Sequence, residues 1–123
     1  MQLRATSLGL KAFSVALLLY AGGALAASGS VVAYVNRVLM TGDATYGGCM
    51  AALSVDPQTV LPGCNTWWVT FSCSGDFNDP VRAYRMVDMA ELALATGKQV
   101  RVFFRDDMKH NNYCFVHRID VLR

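Results

Sequence analysis

The chain has 123 residues, of which 54% are hydrophobic and 16% are charged, and its formal net charge is +2. This length accommodates one domain and excludes a doubly wound nucleotide-binding enzyme, a TIM barrel and a multidomain receptor. Average soluble domains carry about 25% charged residues, so the chain is apolar and slightly basic. A positive charge would indicate nucleic acid or anionic lipid as a partner only if it lay on the folded part.

Residues 1–26 have the order of a secretory signal peptide. Arg4 and Lys11 form a basic region without acidic residues, residues 12–20 form an apolar core, and residues 24–26 read ALA. This succession predicts a signal peptide that is cleaved after residue 26. The alternative, a membrane anchor, needs about 20 apolar residues to cross the hydrocarbon, and glycines interrupt this run early.

Removing this segment changes the charge of the protein. Both basic residues of the segment leave with it, so residues 27–123 carry nine basic and nine acidic side chains. A neutral domain has no net attraction for phosphate backbones or anionic membrane surfaces. We therefore expect a single exported domain over residues 27–123, periplasmic or secreted, with no nucleic-acid partner and no membrane insertion after cleavage.

All four cysteines lie in this exported part. An even number of cysteines in a small exported domain predicts disulfides. A zinc site, the alternative, would show two close pairs of ligands. The successive cysteines are instead separated by 15, 9 and 41 residues, at Cys49, Cys64, Cys73 and Cys114. We expect two disulfides and no metal.

Three strands are predicted in the first half of the domain. Residues 31–40 are rich in β-branched and aromatic side chains, which favours a strand. Residues 46–55 alternate loosely after a Gly-Gly pair that suggests a bulge or bend. Residues 67–73 alternate clearly, which places Trp67 in the core and Trp68 on the outer face with Thr70 and Ser72.

A helix is predicted from Pro80 to Thr96. Asp79 is suited to cap its first amides, Pro80 is tolerated at the first helical position, and Gly97 can end it in a left-handed conformation. Its apolar residues form a stripe, Val81, Tyr84, Val87, Leu92 and Ala95, broadened by Met86, Met89, Ala90, Ala93 and Leu94. A stripe this wide exceeds what one core contact needs. We therefore predict a contact with a second subunit at Met86, Met89 and Ala93.

The last two strands complete the domain. Residues 100–105 alternate, residues 106–112 are predicted as a polar hairpin tip, and residues 113–122 form the final strand. The order β-β-β-α-β-β within 100 residues predicts a mainly β, OB-fold-like five-stranded barrel. A small α+β sandwich, with the helix on an open sheet, is the main alternative.

The barrel topology predicts how the cysteines pair. In that topology strands 2 and 3 are antiparallel, which brings Cys49 near Cys73. Strands 3 and 5 are parallel, so Cys64 and Cys114 lie near their neighbouring starts. We therefore predict these two pairs; the crossed arrangement, Cys64–Cys73 with Cys49–Cys114, is the main alternative among the three possible pairings.

Motifs of catalysis are not found in the sequence. His110 lies in the predicted polar tip, where a solvated turn is favoured over a metal cluster. His117 lies on the face of Phe115 and Ile119, where a hydrogen-bonded structural histidine is favoured over a catalytic base. A Gly-rich phosphate loop, G-x-S-x-G and H-E-x-x-H do not occur. We expect neither an enzyme nor a cofactor.

The tryptophan pair is the main candidate for binding. An outward Trp68 beside the hydroxyls of Thr70 and Ser72 could stack on a sugar ring or anchor a protein. OB-fold surfaces bind oligosaccharides as well as oligonucleotides. Binding of single-stranded nucleic acid would also need a basic groove, which a neutral domain does not favour. A subunit contact or an incidental exposed aromatic ring is the alternative explanation of Trp68.

Residues 67–107 resemble the B subunits of subtilase-type and related pertussis-like AB5 toxins. The resemblance is carried by the strand WWVTFS and by a helix that ends in ATGKQVRVFFRDD, residues 95–107. It implies an OB-fold, a possible ring of five subunits with or without an A subunit, and binding of sialylated or other cell-surface glycans. We therefore expect an exported glycan- or protein-binding domain. A structural or interaction protein of the cell envelope without a small ligand is the alternative.

Overall fold

The computed structural model describes residues 25–123, so the predicted signal segment lies largely outside the described residues. Five strands and one long helix form the domain. Their bounds are β1 Ser28–Met40, β2 Cys49–Leu53, β3 Trp68–Thr70, α1 Pro80–Thr96, β4 Gln99–His110 and β5 Tyr113–Val121, with short 3-10 turns at Thr45–Gly47 and Pro57–Thr59.

The five strands close into a barrel in the spatial order β1-β2-β3-β5-β4. Antiparallel pairing joins β1 to β2, β2 to β3, β4 to β1 and β4 to β5. The strands β3 and β5 run parallel, with Thr70 opposite Phe115. The predicted OB-fold-like barrel is therefore confirmed, and the open-sheet sandwich is not formed. Closure also removes the unpaired strand edges that a small sheet would expose.

The barrel interior is filled by aliphatic and aromatic side chains. Alternate residues of β1 and β4 point inward, which is the period of two expected for strands with one buried face. The largest wholly buried apolar side chains are Phe71, Phe104, Leu53, Val69, Val100, Val102 and Val116. This core fixes the barrel and leaves the outer faces of the strands free for a binding site.

The ends of α1 follow the predicted capping. The carboxylate of Asp79 accepts hydrogen bonds from the amides of Val81 and Arg82, and Pro80 begins the helix. Gly97 ends it in the left-handed region at φ 65°. None of the helices in residues 25–123 is long and apolar enough to span a membrane.

The buried face of α1 differs from the predicted stripe. The helix packs on the barrel through small side chains, and its buried residues are Ala83, Val87, Ala90 and Ala93. Four apolar side chains remain exposed, among which Val81 and Leu92 are 68% and 56% exposed. The predicted apolar stripe is therefore divided between barrel and solvent: Val87 packs on the barrel, whereas Val81, Tyr84 and Leu92 are exposed. Alanines form most of the contact because they allow the closest approach of helix and barrel.

Both predicted disulfides are confirmed. Cys49 is bonded to Cys73, and Cys64 is bonded to Cys114. The described residues contain no free cysteine. The first bond joins the start of β2 to the segment after β3, and the second joins the segment before β3 to the start of β5. Two disulfides indicate that the domain folds in an oxidising compartment.

Two strand predictions were wrong in detail. The polar residues 106–110 continue β4 instead of forming a hairpin tip, and a register shift between Arg105 and Lys109 accommodates them. The turn itself is Asn111–Asn112, both at positive φ, which two-residue hairpin turns favour for asparagine. A second register shift in β5 buries Val116 and Ile119 and leaves His117 exposed.

Candidate functional site

An aromatic depression of about 200 Å³ lies on the outer face of the barrel. It is lined by Leu39, Tyr46, Met50, Trp68 and Tyr113. Leu39 and Met50 are directly paired residues of β1 and β2, and paired residues in an antiparallel sheet lie on the same face. The depression lies between the β1–β2 connection and the β4–β5 hairpin. OB-folds bind oligosaccharides and oligonucleotides on the strand 2–3 face between these two loops.

Two tyrosines from distant parts of the chain meet in the wall of the depression. Tyr46 belongs to the 3-10 turn between β1 and β2, and Tyr113 is the first residue of β5. Their ring centroids are 5.6 Å apart and their planes are nearly perpendicular, at 83°. This edge-to-face geometry is a favourable arrangement of aromatic rings. It joins two loops that are far apart in sequence into one wall.

Trp68 is the third aromatic residue of the depression and is half-buried. The guanidinium carbon of Arg37 lies 6.0 Å from the centroid of its ring, at the outer limit of a cation–π contact. Arg37, Ala52 and Trp68 are aligned across β1, β2 and β3. The Trp68 ring can therefore contact an apolar surface of a ligand while the Arg37 guanidinium donates a hydrogen bond to an acceptor group of the same ligand.

The two hydroxyl residues predicted beside Trp68 are withdrawn from solvent. Thr70 and Ser72 are both 0% exposed, because the Thr45–Gly47 turn and the end of β4 cover this part of β3. A ligand stacked on Trp68 would not touch them in this conformation. The prediction for the other tryptophan was wrong: Trp67 has φ 64° and is 52% exposed instead of lying in the core.

The buried hydroxyls form a hydrogen-bonded cluster with His110. The Ser72 side-chain oxygen lies 3.0 Å from Nε2 of His110 and accepts a hydrogen bond of 3.2 Å from the amide of Phe77. The His110 ring packs on Phe77, with centroids 4.5 Å apart. Burial lowers the pKa of His110, and the carboxylate of Asp76, 3.9 Å from Nε2, partly opposes this shift. His110 is therefore packed in a cluster, and the predicted solvated turn was wrong.

This cluster has the residue types of a catalytic triad in a different arrangement. In a serine triad the acid binds the imidazole nitrogen that faces away from the serine. Here Ser72 and Asp76 both approach Nε2 of His110. A nucleophile must also be reached by substrate, and Ser72 is completely buried.

The other histidine, His117, lies outside this cluster, at the register shift between β4 and β5. His117 is exposed, and its ring centroid is 6.4 Å from that of Phe103. Partial burial lowers its pKa, and the charges of Arg105 and Arg118 lower it further. The prediction that His117 shares the face of Phe115 and Ile119 was wrong, because the register shift in β5 turns it outward.

A second depression of about 260 Å³ lies between the β1–β2 connection and the start of α1. It is lined largely by short side chains and glycines, with Tyr84 on the helix side. Hydrogen bonding to the Thr45 side chain and to the Thr45 amide, which donates to the Asp43 carboxylate, lowers the pKa of Asp43. Within residues 25–123 no group of three histidine, cysteine or acidic side chains is placed to hold a metal ion.

The residues predicted to contact a second subunit lie toward the barrel side of α1. Ala93 is 1% exposed, and Met86 and Met89 are partly buried against the core. The apolar side chains that α1 presents to solvent are Val81, Tyr84, Leu92 and Leu94. A subunit contact through the three predicted residues remains a prediction.

Sequence reasoning identified Trp68 but missed Tyr46 and Tyr113. Tyr46 precedes a Gly-Gly pair in a connection, and Tyr113 follows an Asn-Asn turn, so both stand at the loop positions of an OB-fold that surround its binding face. Their positions in these two loops were the signal in the sequence that could have identified both tyrosines as candidates for the site. Comparison of the chain with protein-family models, curated proteins and solved structures finds no match.

Proposed function

We propose that this protein is an exported, non-enzymatic binding domain that recognises a cell-surface glycan in the aromatic depression. The observation that carries the proposal is the convergence of Tyr46, Trp68 and Tyr113 on the outer face between the two loops. Pockets with apolar and aromatic walls and a few polar groups are the usual form of small-ligand sites. Tyrosine and tryptophan combine an apolar face with a polar edge, which suits the mixed faces of a sugar ring.

The charge distribution favours a glycan over a nucleic acid. Arg105 is paired with Asp107, and Arg118 is paired with Asp120 at 2.9 Å. Binding of single-stranded nucleic acid combines stacking with a positively charged groove that tracks the backbone. The side chains that line the depression carry no charge, and the guanidinium of Arg37 lies beside its Trp68 ring. One cation suits a single acceptor group on a ligand better than a run of phosphates.

Export into the periplasm or the medium is part of the proposal, with cleavage of the signal after residue 26. The main-chain contacts around Ala27 support this position. Its amide donates to the carboxylate of Asp106 at 2.9 Å, and its carbonyl accepts from the Asp106 amide at 3.1 Å. Leu25, two residues earlier, is 94% exposed. Among the described residues 25–123, hydrogen bonds to the barrel thus begin at the residue that cleavage would make the first.

A glycan array tests the proposal with a matched pair of tryptophan variants. The oxidised protein, beginning at Ala27, is applied to immobilised animal cell-surface glycans. Trp68→Ala is expected to weaken binding by about 10- to 100-fold, since base–aromatic stacking, a comparable contact, is worth about 1–3 kcal/mol. Trp67→Ala, which removes an exposed neighbouring tryptophan outside the depression, is expected to bind as the unmodified chain does. Binding that is equal in both variants, or absent in the unmodified chain, would refute the glycan site.

A second candidate function rests on the exposed side of α1. Val81 and Leu92 are exposed apolar side chains on a helix whose other face packs on the barrel. We infer from them an interaction protein of the cell envelope whose partner is a second copy of the chain. The assembly could extend to the ring of five subunits that the resemblance implies, with or without an A subunit. Sedimentation equilibrium tests it. A mass that is a multiple of the monomer, reduced by Leu92→Glu and not by Lys98→Glu, is expected; a monomer at high concentration would exclude it.

A further inference from the structure

The backbone of Tyr46 is in an unusual conformation for its residue type. Its φ and ψ are 54° and 23°, which is the left-handed helical region. An L-residue with a side chain costs about 1–2 kcal/mol there. Such local strain persists where the surrounding structure over-determines it, and it is concentrated at functional sites. The strained residue is here one of the aromatic walls of the depression.

Thr70 holds the main chain of this strained residue from beneath. Its hydroxyl donates a hydrogen bond of 2.7 Å to the carbonyl oxygen of Tyr46 and accepts one of 3.1 Å from the amide of Ser72. The residue is wholly buried. Gly47 brings the two segments together, since a Cβ there would lie 2.6 Å from the Thr70 hydroxyl oxygen. The hydroxyl group therefore determines where the turn carrying Tyr46 lies on β3.

The same cluster reaches Tyr113, the other tyrosine of the wall, through His110. Its ring contacts the Ser72 hydroxyl, and a Cβ on Gly47 would lie 2.5 Å from its Cδ2. In the β4–β5 hairpin His110 is the cross-strand partner of Tyr113. A continuous set of contacts thus runs beneath the depression from the backbone of Tyr46 to the strand position of Tyr113.

We propose that Thr70, although it cannot touch a ligand, is a positioning residue that sets the Tyr46 ring against Tyr113 and so preorganises the aromatic depression. The inference rests on the proposed glycan-binding function for its biological meaning, but the ring geometry can be measured without a ligand. Preorganisation raises affinity because the cost of ordering the site is met before binding. The Thr70 hydroxyl then acts beneath the site and not in it.

The test compares three threonine variants of the oxidised protein by nuclear magnetic resonance. Thr70→Val removes the hydroxyl while keeping the shape, and Thr70→Ser restores it. Thr96→Val is the matched control, because the Thr96 hydroxyl also donates to a backbone carbonyl, that of Leu92, at the far end of α1. Nuclear Overhauser contacts between the rings of Tyr46 and Tyr113 are expected in the unmodified chain, Thr70→Ser and Thr96→Val, and are expected to be lost in Thr70→Val.

The same four proteins are then applied to the array of animal cell-surface glycans. Thr70→Val is expected to bind the same glycans about 5- to 10-fold more weakly, the equivalent of one hydrogen bond, and Thr70→Ser to recover this loss. Ring contacts that persist in Thr70→Val would overturn the positioning role. If Thr70→Val does not fold, Thr70→Ala provides the same comparison, because it also removes the hydroxyl and adds no atom to the buried cluster. If the unmodified chain binds no glycan but the Tyr46–Tyr113 ring contacts are lost in Thr70→Val, the proposed function is refuted and the positioning role of Thr70 is supported.

Discussion

The side-chain oxygen of Ser72 lies 3.0 Å from Nε2 of His110, inside a cluster that excludes solvent from the serine. Because the Ser72 oxygen also accepts from the Phe77 amide, the hydroxyl joins the segment after β3 to the end of β4. The relationship is that of two structural partners beneath the aromatic depression. Its residue types alone would have suggested a nucleophile and its base.

Replacement of Ser72 by alanine is therefore expected to affect stability and not to reveal an activity. Ser72→Ala leaves the Phe77 amide and the His110 nitrogen without their partner, which should lower the free energy of unfolding by about 1–3 kcal/mol. Ser74→Ala, which removes a hydroxyl bonded to the exposed Asp76, should change it by less than about 0.5 kcal/mol. Urea denaturation measures both.

A fluorophosphonate probe provides the matching test of reactivity. We expect no covalent labelling of the folded chain, since Ser72 is 0% exposed. Labelling that disappears in Ser72→Ala would instead identify an enzyme and would contradict the proposed binding function.

The two disulfides are expected to contribute unequally to stability. In the chain-entropy description the contribution grows with the length of the closed loop, and the separations are 24 residues for Cys49–Cys73 and 50 for Cys64–Cys114. Replacing both cysteines of a bond by alanine should cost about 3.5 kcal/mol for the first bond and about 4 kcal/mol for the second. Urea denaturation of the two double variants gives the comparison. A larger cost for the shorter loop would show that packing outweighs loop entropy.

The barrel topology could be predicted because its signals are local. Each signal is contained in a short stretch of sequence: the period of two in the strands, the Asp79 cap, and Gly97 at the end of the helix. The disulfide pairing of Cys64 with Cys114 followed from the parallel neighbours β3 and β5 once that topology was assumed. These predictions required no knowledge of which side chains meet across the outer surface.

The composition of the aromatic depression could not be predicted, because it depends on contacts between distant segments. Alternation placed Thr70 on the outer face of β3, and the register agrees. The Thr45–Gly47 turn and His110 then cover it, and nothing in the sequence of β3 indicates this cover. In α1 the wide apolar stripe concealed which side packs on the barrel, since the decisive residues are alanines such as Ala83 and Ala90.

Stability is expected to decrease as the pH falls from about 7 to about 5. The folded chain holds the pKa of His110 below its ordinary value of 6.5 through burial. As the pH falls through that value, the unfolded chain binds a proton that the folded chain resists, so the free energy of unfolding decreases. Above about pH 7.5 the residue is neutral in both states and contributes no pH dependence.

Two histidine variants separate this effect from that of His117, whose pKa is also lowered, by partial burial and by Arg105 and Arg118. Denaturation midpoints at pH 7.5, 6.5 and 5.5 are compared for the unmodified chain, His110→Gln and His117→Gln. His110→Gln should remove the larger part of the acid-induced loss, because its ring is the more buried. An unchanged pH dependence in His110→Gln would contradict the assignment.

The contact of Ala27 with Asp106 predicts an ion pair that depends on processing. The Ala27 nitrogen lies 2.9 Å from the Asp106 carboxylate. If cleavage follows residue 26, that nitrogen becomes a charged amino terminus, and the hydrogen bond becomes charge-assisted. In the chain beginning at Ala27, Asp106→Asn should therefore lower the free energy of unfolding by about 0.5–1 kcal/mol more than in the same chain with an acetylated amino terminus, as expected for a partly exposed ion pair.

The thermodynamic cycle uses four proteins: the chain beginning at Ala27 and its Asp106→Asn variant, each with a free and with an acetylated amino terminus. Urea denaturation at low salt measures the coupling between the carboxylate and the charged terminus, and added salt should reduce it because exposed charges are screened. The amide of Asp106 and the carbonyl of Ala27 keep their own hydrogen bond in all four, so the cycle isolates the charge. A coupling of zero would mean that Asp106 only accepts a neutral hydrogen bond. It would also remove the support that this contact gives to cleavage before Ala27.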